Sequence, residues 1–280
     1  MHVVLRWRRN PESCDRRLSR FIRVLLAALR VPRYRAQLDA IGLGGPGAVD
    51  RLTSIEQTLE RLPSVPLAEF LSSPEEFRNP YAPKPARSRL ECPLPPQPRT
   101  AVFMPHFEET RSIRVFSESK LQALARWTPE AIAGPVSFLV GLAQRVNSGD
   151  IFLPPLPRCL IAFTSLDDGA LDSGARDLLW QVFQVPVFEQ WLGLDGRLVA
   201  TECDAHEGLH LIPENVVLEQ NGGLGTLLTS LTDVHRPALR LATPFTATIE
   251  HAKCGCGRTT PRLVGLRCLP QPRRGLAASS

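Results

Sequence analysis

The apolar residues near the start of the chain recur at helical spacing. Between residues 18 and 29 they fall three or four positions apart, which places them on one face of a helix. A second helix is predicted over residues 54–61, where Ser54 and Gln57 have the spacing of a weak capping box. We therefore expect a helical lead-in over residues 1–73.

Prolines interrupt this pattern over residues 74–105. Nine of the 26 prolines in the chain fall within that segment. Proline lacks a backbone N–H and holds its backbone in a conformation typical of extended or polyproline segments. We therefore expect residues 74–105 to form an extended linker rather than a folded element.

Short apolar runs then alternate with helical segments. Strands are predicted at residues 101–104, 113–116, 159–163 and 186–188, and helices at residues 117–125, 135–146 and 172–183. Further strands are predicted at residues 198–202, 209–212, 216–219, 226–230 and 246–250. This order indicates an α/β fold class, in which a mixed sheet has flanking helices. The domains expected are an α/β core at 106–197, a β-rich section at 198–268 and a disordered tail at 269–280.

Composition limits the class of protein. The chain has 280 residues, of which 43% are hydrophobic and 22% charged, as in a globular protein rather than a disordered one. No run of 18 apolar residues is present, so we expect no transmembrane helix and no membrane partner. Seven cysteines, an odd number, and the absence of an export signal favour a cytoplasmic location.

Arginine dominates the basic residues and is concentrated at the start of the chain. The net charge is +5, and only Lys84, Lys120 and Lys253 are lysine. No G-x-x-x-x-G-K-[ST] motif occurs, which argues against a P-loop NTPase. The arginines of residues 1–35 could form a nucleic-acid or membrane-surface arm, but a solvated helix docked on the core is the favoured interpretation.

The cysteine and histidine residues are the main candidates for a metal site. Cys254 and Cys256 are two residues apart, which suits a shared metal better than a disulfide. Zinc prefers four nitrogen or sulfur ligands. The other two ligands could come from Cys203, His210, His206 or His251. On spacing alone, thiols without a ligand role remain the stronger alternative, because zinc motifs usually have C-x₂₋₄-C spacing. The remaining thiols, expected to be ordinary ones, are Cys14, Cys92, Cys159 and Cys268.

Several motifs follow one another in a fixed order between residues 120 and 263. They are I-A-G-P-V-S-F-L at 132–139, an R…F…V element at 176–187, E-C and G-L-H at 202–210, G-T-L-L-T-S-L-T at 225–232, R-P-A-L-R at 236–240 and C-G-C-G-R-T-T-P-R at 254–262. Together they resemble the phenylacetate–CoA ligase (aryl-CoA ligase) branch of the adenylate-forming, AMP-binding enzymes. The resemblance implies part of the large N-terminal domain of those enzymes.

The same resemblance changes the interpretation of the cysteines. Members of this branch hold a zinc ion with the residues that correspond to Cys203, His210, Cys254 and Cys256. The resemblance therefore implies a structural Cys₃His zinc site that staples the β-rich section.

The chain departs from the family pattern where ATP and AMP would bind. The proline-rich segment stands in place of the phosphate loop, residues 188–196 lack the Thr-Glu pair, and L-A-T-P-F replaces R-T-G-D after Arg240. The chain also ends about where the lid domain and its catalytic lysine would begin. We therefore expect a shortened, degenerate relative with no catalytic or cofactor-binding residue and no ATP or CoA cofactor.

The expected function is a non-catalytic binding or partner subunit. Its partner would be a full-length ligase-type subunit, a second copy of the chain, or a small acyl or aromatic ligand. One alternative is an acyl- or aryl-CoA ligase that is active with a complementing partner. A weaker alternative is nucleic-acid binding through the arginine arm.

Overall fold

A group of short helices forms the first part of the chain. The computed structural model describes residues 3–4, 11–222 and 225–269. After a two-residue strand, β1 (Val3–Val4), the helices are α1 (Pro11–Ala28), α2 (Pro32–Ala40), α3 (Pro46–Val49), α4 (Ile55–Arg61) and α5 (Leu67–Ser72). The predicted cap is present, because the Ser54 hydroxyl accepts a hydrogen bond from the Gln57 N–H at 3.3 Å.

The arginine-rich helix α1 is docked on the rest of the protein. Its apolar residues Phe21, Val24 and Leu25 are buried. Arg17 Nε donates a hydrogen bond of 2.8 Å to the Pro213 carbonyl, and Arg20 lies 3.3 Å from the Asn215 side-chain oxygen. These contacts join α1 to the β-rich section, as the docked interpretation predicted. The first arginines of the expected arm, Arg6, Arg8 and Arg9, lie outside the described residues.

The proline-rich segment differs from the extended linker expected there. It begins with a 3₁₀ helix (Pro74–Phe77) and reaches strand β2 (Thr100–Val102) near its end. Phe77 and Leu90 are buried, and the Asn79 side chain donates a 3.2 Å hydrogen bond to the Val234 carbonyl. Apolar side chains between the prolines therefore pack against the body of the protein.

One nine-stranded sheet organises the fold, in the order β12-β13-β8-β7-β6-β5-β4-β2-β3. In chain order after β2, its strands are β3 (Ile113–Val115), β4 (Ala131–Pro135), β5 (Cys159–Thr164), β6 (Val187–Leu192), β7 (Leu198–Glu202), β8 (Leu209–Leu211), β12 (Phe245–Glu250) and β13 (Arg262–Cys268). Strands β2 to β6 pair in parallel, whereas β7, β8, β13 and β12 pair antiparallel. The sheet is therefore mixed, and the α/β fold class is confirmed.

Helices cover one face of the parallel half. They are α6 (Leu121–Trp127), α7 (Val136–Asn147) and α8 (Ser173–Phe183). Leu160 and Ala162 of β5 belong to the core beneath these helices, while Ile161 and Phe163 belong to a core on the opposite face that includes Leu90. This alternation follows from the two-residue period of side chains along a strand.

A second sheet of four strands, in the order β1-β9-β10-β11, packs with the N-terminal helices. Its remaining strands are β9 (Val216–Gln220), β10 (Thr226–Ser230) and β11 (Leu241–Ala242). No helix in the described part of the chain is both long and apolar enough to cross a membrane. Residues 270–280, predicted to belong to a disordered tail, lie outside the described residues.

Strands β1, β4, β11 and β13 were not predicted from the sequence. The helix expected at 135–146 begins at Val136, but the motif at 132–139 spans its junction with strand β4. Strand β13 was not predicted, because its arginines and glycine break the apolar alternation. Strand β4 lies inside the large sheet between β5 and β2, and β13 carries the pairing that assembles the cysteine cluster described next.

Candidate metal centre

The four residues named for zinc converge in the folded chain. Cys203, His210, Cys254 and Cys256 each offer a ligand atom, and these atoms all lie within 4.8 Å of one another. The first three residues are buried and Cys256 is half-buried. Residues separated by as many as 53 positions therefore meet at one point.

Strand pairing brings the ligands together. Cys203 directly follows β7, and His210 lies in β8, which pairs antiparallel with β7. Cys254 and Cys256 lie in the loop between β12 and β13. Because Arg262 of β13 is the register partner of His210, that loop is held beside the β7–β8 connection.

The distances suit a tetrahedral metal. The Sγ atoms of Cys203 and Cys254 are 3.6 Å apart, and Cys256 Sγ lies 3.4 Å from His210 Nε2. Zinc–sulfur and zinc–nitrogen bonds of about 2.3 and 2.0–2.1 Å place two ligands of a tetrahedron about 3.8 Å apart for two sulfurs and about 3.6 Å for sulfur and nitrogen. The donor set and its geometry therefore fit a Cys₃His metal site.

Groups around the ligands hold them in position. The Thr260 hydroxyl lies 2.9 Å from His210 Nδ1, which leaves Nε2 directed at the thiols. Glu207 accepts a 3.1 Å hydrogen bond from the Gly255 N–H, between the two cysteines of the loop. Arg262 lies 2.7 Å from the same carboxylate. Such outer contacts are the usual way in which proteins orient metal ligands.

The electrostatics of the cluster favour a cation. Burial raises the pKa of the Cys203 thiol to about 11, and the neighbouring Cys256 and Cys254 thiols add to this effect. Burial also lowers the pKa of His210, which favours the neutral imidazole that a metal binds. Three thiolates in such a small space would repel one another, so a bound dication would stabilise them.

The alternative ligands lie elsewhere. His206 Nδ1 is 3.0 Å from Glu202 Oε1, and its ring stacks on Phe188. His251 is exposed and is not part of the cluster. All six cysteines whose side chains are described are free thiols. Cys14, named with the ordinary thiols, has a side chain outside that description.

A carboxylate occupies the helix start at the carboxyl edge of the parallel strands. In open α/β sheets ligands bind at this edge, and helix N-termini there attract phosphate. Helix α7 follows β4 directly, and its Ser137 N–H donates a 2.9 Å hydrogen bond to Asp168 Oδ2. An anionic side chain therefore already accepts a hydrogen bond at the N-terminus of α7.

The turn between β6 and β7, at the same edge, is closed by its own hydrogen bonds. The Gly193 N–H donates to the Arg197 carbonyl at 2.8 Å. Asp195 accepts from the Arg197 N–H at 3.2 Å and from the Thr232 hydroxyl at 2.6 Å. The one carboxylate of this turn thus has local partners.

Sequence reasoning missed a buried carboxyl group at Glu189. Its side chain projects from the centre of the sheet, and the residue is only 3% exposed. Burial raises the pKa of this carboxyl group to about 7. Hydrogen bonds from the Thr164 hydroxyl and the Leu171 N–H lower the pKa, but their effect is smaller. In the sequence, Glu189 belongs to the segment 188–196 that lacks the family's Thr-Glu pair. A glutamate in a strand carries no local sign that it is buried.

Comparison with known proteins supports the fold. No protein-family model and no curated protein matches the chain. Among solved structures, 2-hydroxyisobutyryl-CoA ligase in the postadenylation state with R3-HIB-AMP matches with a TM-score of 0.66 and 15% identity, over 92% of this chain and 67% of that one. The open conformation of that ligase with 2-HIB-AMP and CoA matches with a TM-score of 0.63 and 16% identity, over 89% and 67% of the two chains. The chain therefore has the fold of an adenylate-forming CoA ligase, over about two thirds of that enzyme's length.

Proposed function

We propose that this protein is a zinc-stabilised relative of the phenylacetate–CoA ligase branch that binds a partner or ligand and does not form adenylates. The branch assignment rests on the order of the sequence motifs between residues 120 and 263. The ligase fold is compatible with this branch and with others. A cytoplasmic location and a partner in the form of a ligase-type subunit, a second copy of the chain, or an acyl or aromatic ligand stay predictions.

One observation carries the non-catalytic role. The carboxylate of Asp168, which is not part of α7, accepts a hydrogen bond from the first turn of that helix. Adenylate formation requires positive or hydrogen-bonding groups to neutralise the phosphates of ATP as charge develops. At this helix start the N–H of Ser137 is used by Asp168 at 2.9 Å, and a second anion there would be repelled. The sequence also lacks the family's ATP-binding motifs, which agrees with a helix start that is already occupied by a carboxylate.

ATP-dependent pyrophosphate exchange tests the proposal. The purified, zinc-loaded full chain would be assayed with a panel of aromatic and aliphatic carboxylic acids, with an active CoA ligase as positive control. We expect no exchange above the rate without protein. Exchange that depends on one acid would overturn the non-catalytic role and favour the ligase alternative.

The proposed zinc would act on stability. It would join the end of β7, strand β8 and the β12–β13 loop through Cys203, His210, Cys254 and Cys256. A structural zinc contributes folding free energy directly, since its ligands are brought together only in the native state. Removal of the metal should therefore loosen the antiparallel half of the large sheet.

Metal analysis tests the zinc assignment, and the chain offers a matched control. We expect one zinc ion per chain, and its loss in Cys256→Ser. The same substitution at Cys92, a half-buried thiol outside the cluster, should leave the zinc content unchanged. A wild-type protein without zinc, or equal zinc in wild type and Cys256→Ser, would exclude this site.

A further inference from the structure

A large cavity lies beside the metal centre and has no role in the function proposed above. Its volume is about 860 Å³, within the range of about 300–1,000 Å³ typical of small-molecule sites. Helix α8 forms one wall, and the starts of β8 and β13 form another. The cavity is lined by Val187, where β6 starts, and by Glu202, where β7 ends. It therefore opens at the end of the sheet opposite the carboxyl edge of the parallel strands.

Apolar and aromatic side chains form much of the cavity wall. Leu171, Pro186, Val187 and Leu266 contribute aliphatic surface. Trp180 of α8 also lines the cavity and is 50% exposed, although indole rings are usually mostly buried. A ligand with a flat apolar body could cover this ring and recover the free energy of burying it.

The charged residues of the cavity are mostly acidic. The acidic side chains that line it are Asp177, Glu189, Glu202, Glu207 and Glu250, against the two arginines Arg176 and Arg262. Both arginines are already paired within the protein. Arg176 lies 3.0 Å from Glu202, and Arg262 lies 2.7 Å from Glu207 and 3.4 Å from Glu250. The cavity therefore has an excess of negative charge and no arginine left for an anion.

One carboxylate oxygen at this cavity has no hydrogen-bond partner within the part of the chain that the structure describes. Glu189 Oε1 accepts hydrogen bonds from the Thr164 hydroxyl and, at 3.2 Å, from the Leu171 N–H. The second oxygen, Oε2, accepts none, although Glu189 is 97% buried and lines the cavity. Oε2 is therefore the atom of this carboxylate that is free to accept a hydrogen bond from a ligand in the cavity.

We propose that this cavity binds a small organic cation, an amine with an aromatic or aliphatic body, whose ammonium group donates a hydrogen bond to Glu189 Oε2. The apolar body lies against Trp180 and the aliphatic wall. The acidic excess disfavours carboxylates, nucleotides and CoA, which are anions. An ammonium group bonded to a buried carboxylate forms a charge-assisted hydrogen bond, which is about twice as strong as a neutral one.

A pair of charge-reversed probes tests this proposal. Binding of 2-phenylethylamine and of 3-phenylpropionate, which have similar shape and opposite charge, would be measured by calorimetry with the zinc-loaded full chain at pH 8. We expect saturable binding of the amine that weakens with added salt, and an affinity for the acid at least about tenfold lower. Equal or tighter binding of the acid, or no saturable binding of the amine, would overturn the proposal.

Two substitutions locate the binding to the cavity. Glu189→Gln keeps the acceptor for Thr164 and Leu171 and should lower the affinity for the amine about ten- to a hundredfold. Asp177→Asn changes an exposed residue that forms no ion pair within the described chain, so it should fold normally and lower the affinity about two- to fivefold. Glu118→Gln, an exposed control on another element, should bind the amine as wild type does. Unchanged affinity in both cavity variants contradicts the assignment.

Discussion

The buried carboxyl group of Glu189 should make the stability of this protein fall as the pH rises. Its pKa is raised by burial from an ordinary value near 4.5 to about 7. A carboxyl group whose pKa is higher in the folded state binds its proton more tightly there. The resulting stabilisation is complete below pH 4.5 and is lost as the pH rises through 7.

The magnitude follows from the difference between the two pKa values. A tenfold change in proton affinity corresponds to 1.36 kcal/mol, so the difference between 4.5 and 7 corresponds to about 3 kcal/mol. Glu189→Gln has nearly the same shape and keeps an oxygen that can accept from the Thr164 hydroxyl and the Leu171 N–H. Because the amide does not titrate, the variant should lack this contribution to the pH dependence.

Urea unfolding of the zinc-loaded proteins between pH 5 and 9 measures the effect. The free energy of unfolding of wild type, relative to Glu189→Gln, should fall by about 3 kcal/mol across this range. Titration of the metal ligands affects both proteins and cancels in the difference. Exposed Glu118→Gln should follow wild type at every pH. Parallel curves for wild type and Glu189→Gln would refute the reasoning that burial raises the pKa of this carboxyl group.

Three further substitutions test the metal centre, the start of α7 and the turn before β8. Thr260→Val removes the hydroxyl that orients the histidine ligand and should lower zinc affinity about ten- to a hundredfold in competition with a chelator; an unchanged affinity would show that the contact is incidental. Asp168→Ala removes the acceptor at the start of α7 and should cost about 1 kcal/mol in urea unfolding, whereas Asp167→Ala, at an exposed neighbour, should cost less than about 0.5 kcal/mol. Gly208→Ala should destabilise by more than about 1 kcal/mol, because its φ is +110° and the new Cβ would lie 2.6 Å from a backbone carbonyl oxygen. Gly47→Ala, where a Cβ has open space in a helix, should be neutral or slightly stabilising by the same measurement.

Local sequence patterns were enough to predict most helices and strands. Strands β7 and β10 have the predicted bounds, at residues 198–202 and 226–230. The cap at Ser54 was also predictable, because it depends on residues only three positions apart. These features are decided within a few residues, by side-chain periodicity and backbone preferences.

The candidate metal ligands could be named from the sequence only with the help of the family resemblance. Spacing alone left His206 and His251 as alternatives to His210. Which histidine joins the thiols depends on the register between β8 and β13, in which His210 is opposite Arg262. That register is a pairing between strands about 50 residues apart, and β13 was not predicted at all.

By itself, the sequence determined the α/β class, the order of elements and the residue types available for a metal. Only the tertiary structure decided that the proline-rich segment packs on the body of the protein, that Asp168 holds the start of α7, and that Glu189 is buried beside a cavity. The physical reason is that secondary structure depends on neighbours along the chain. Burial, charge pairing and ligand geometry depend instead on segments that meet only when the sheet has formed.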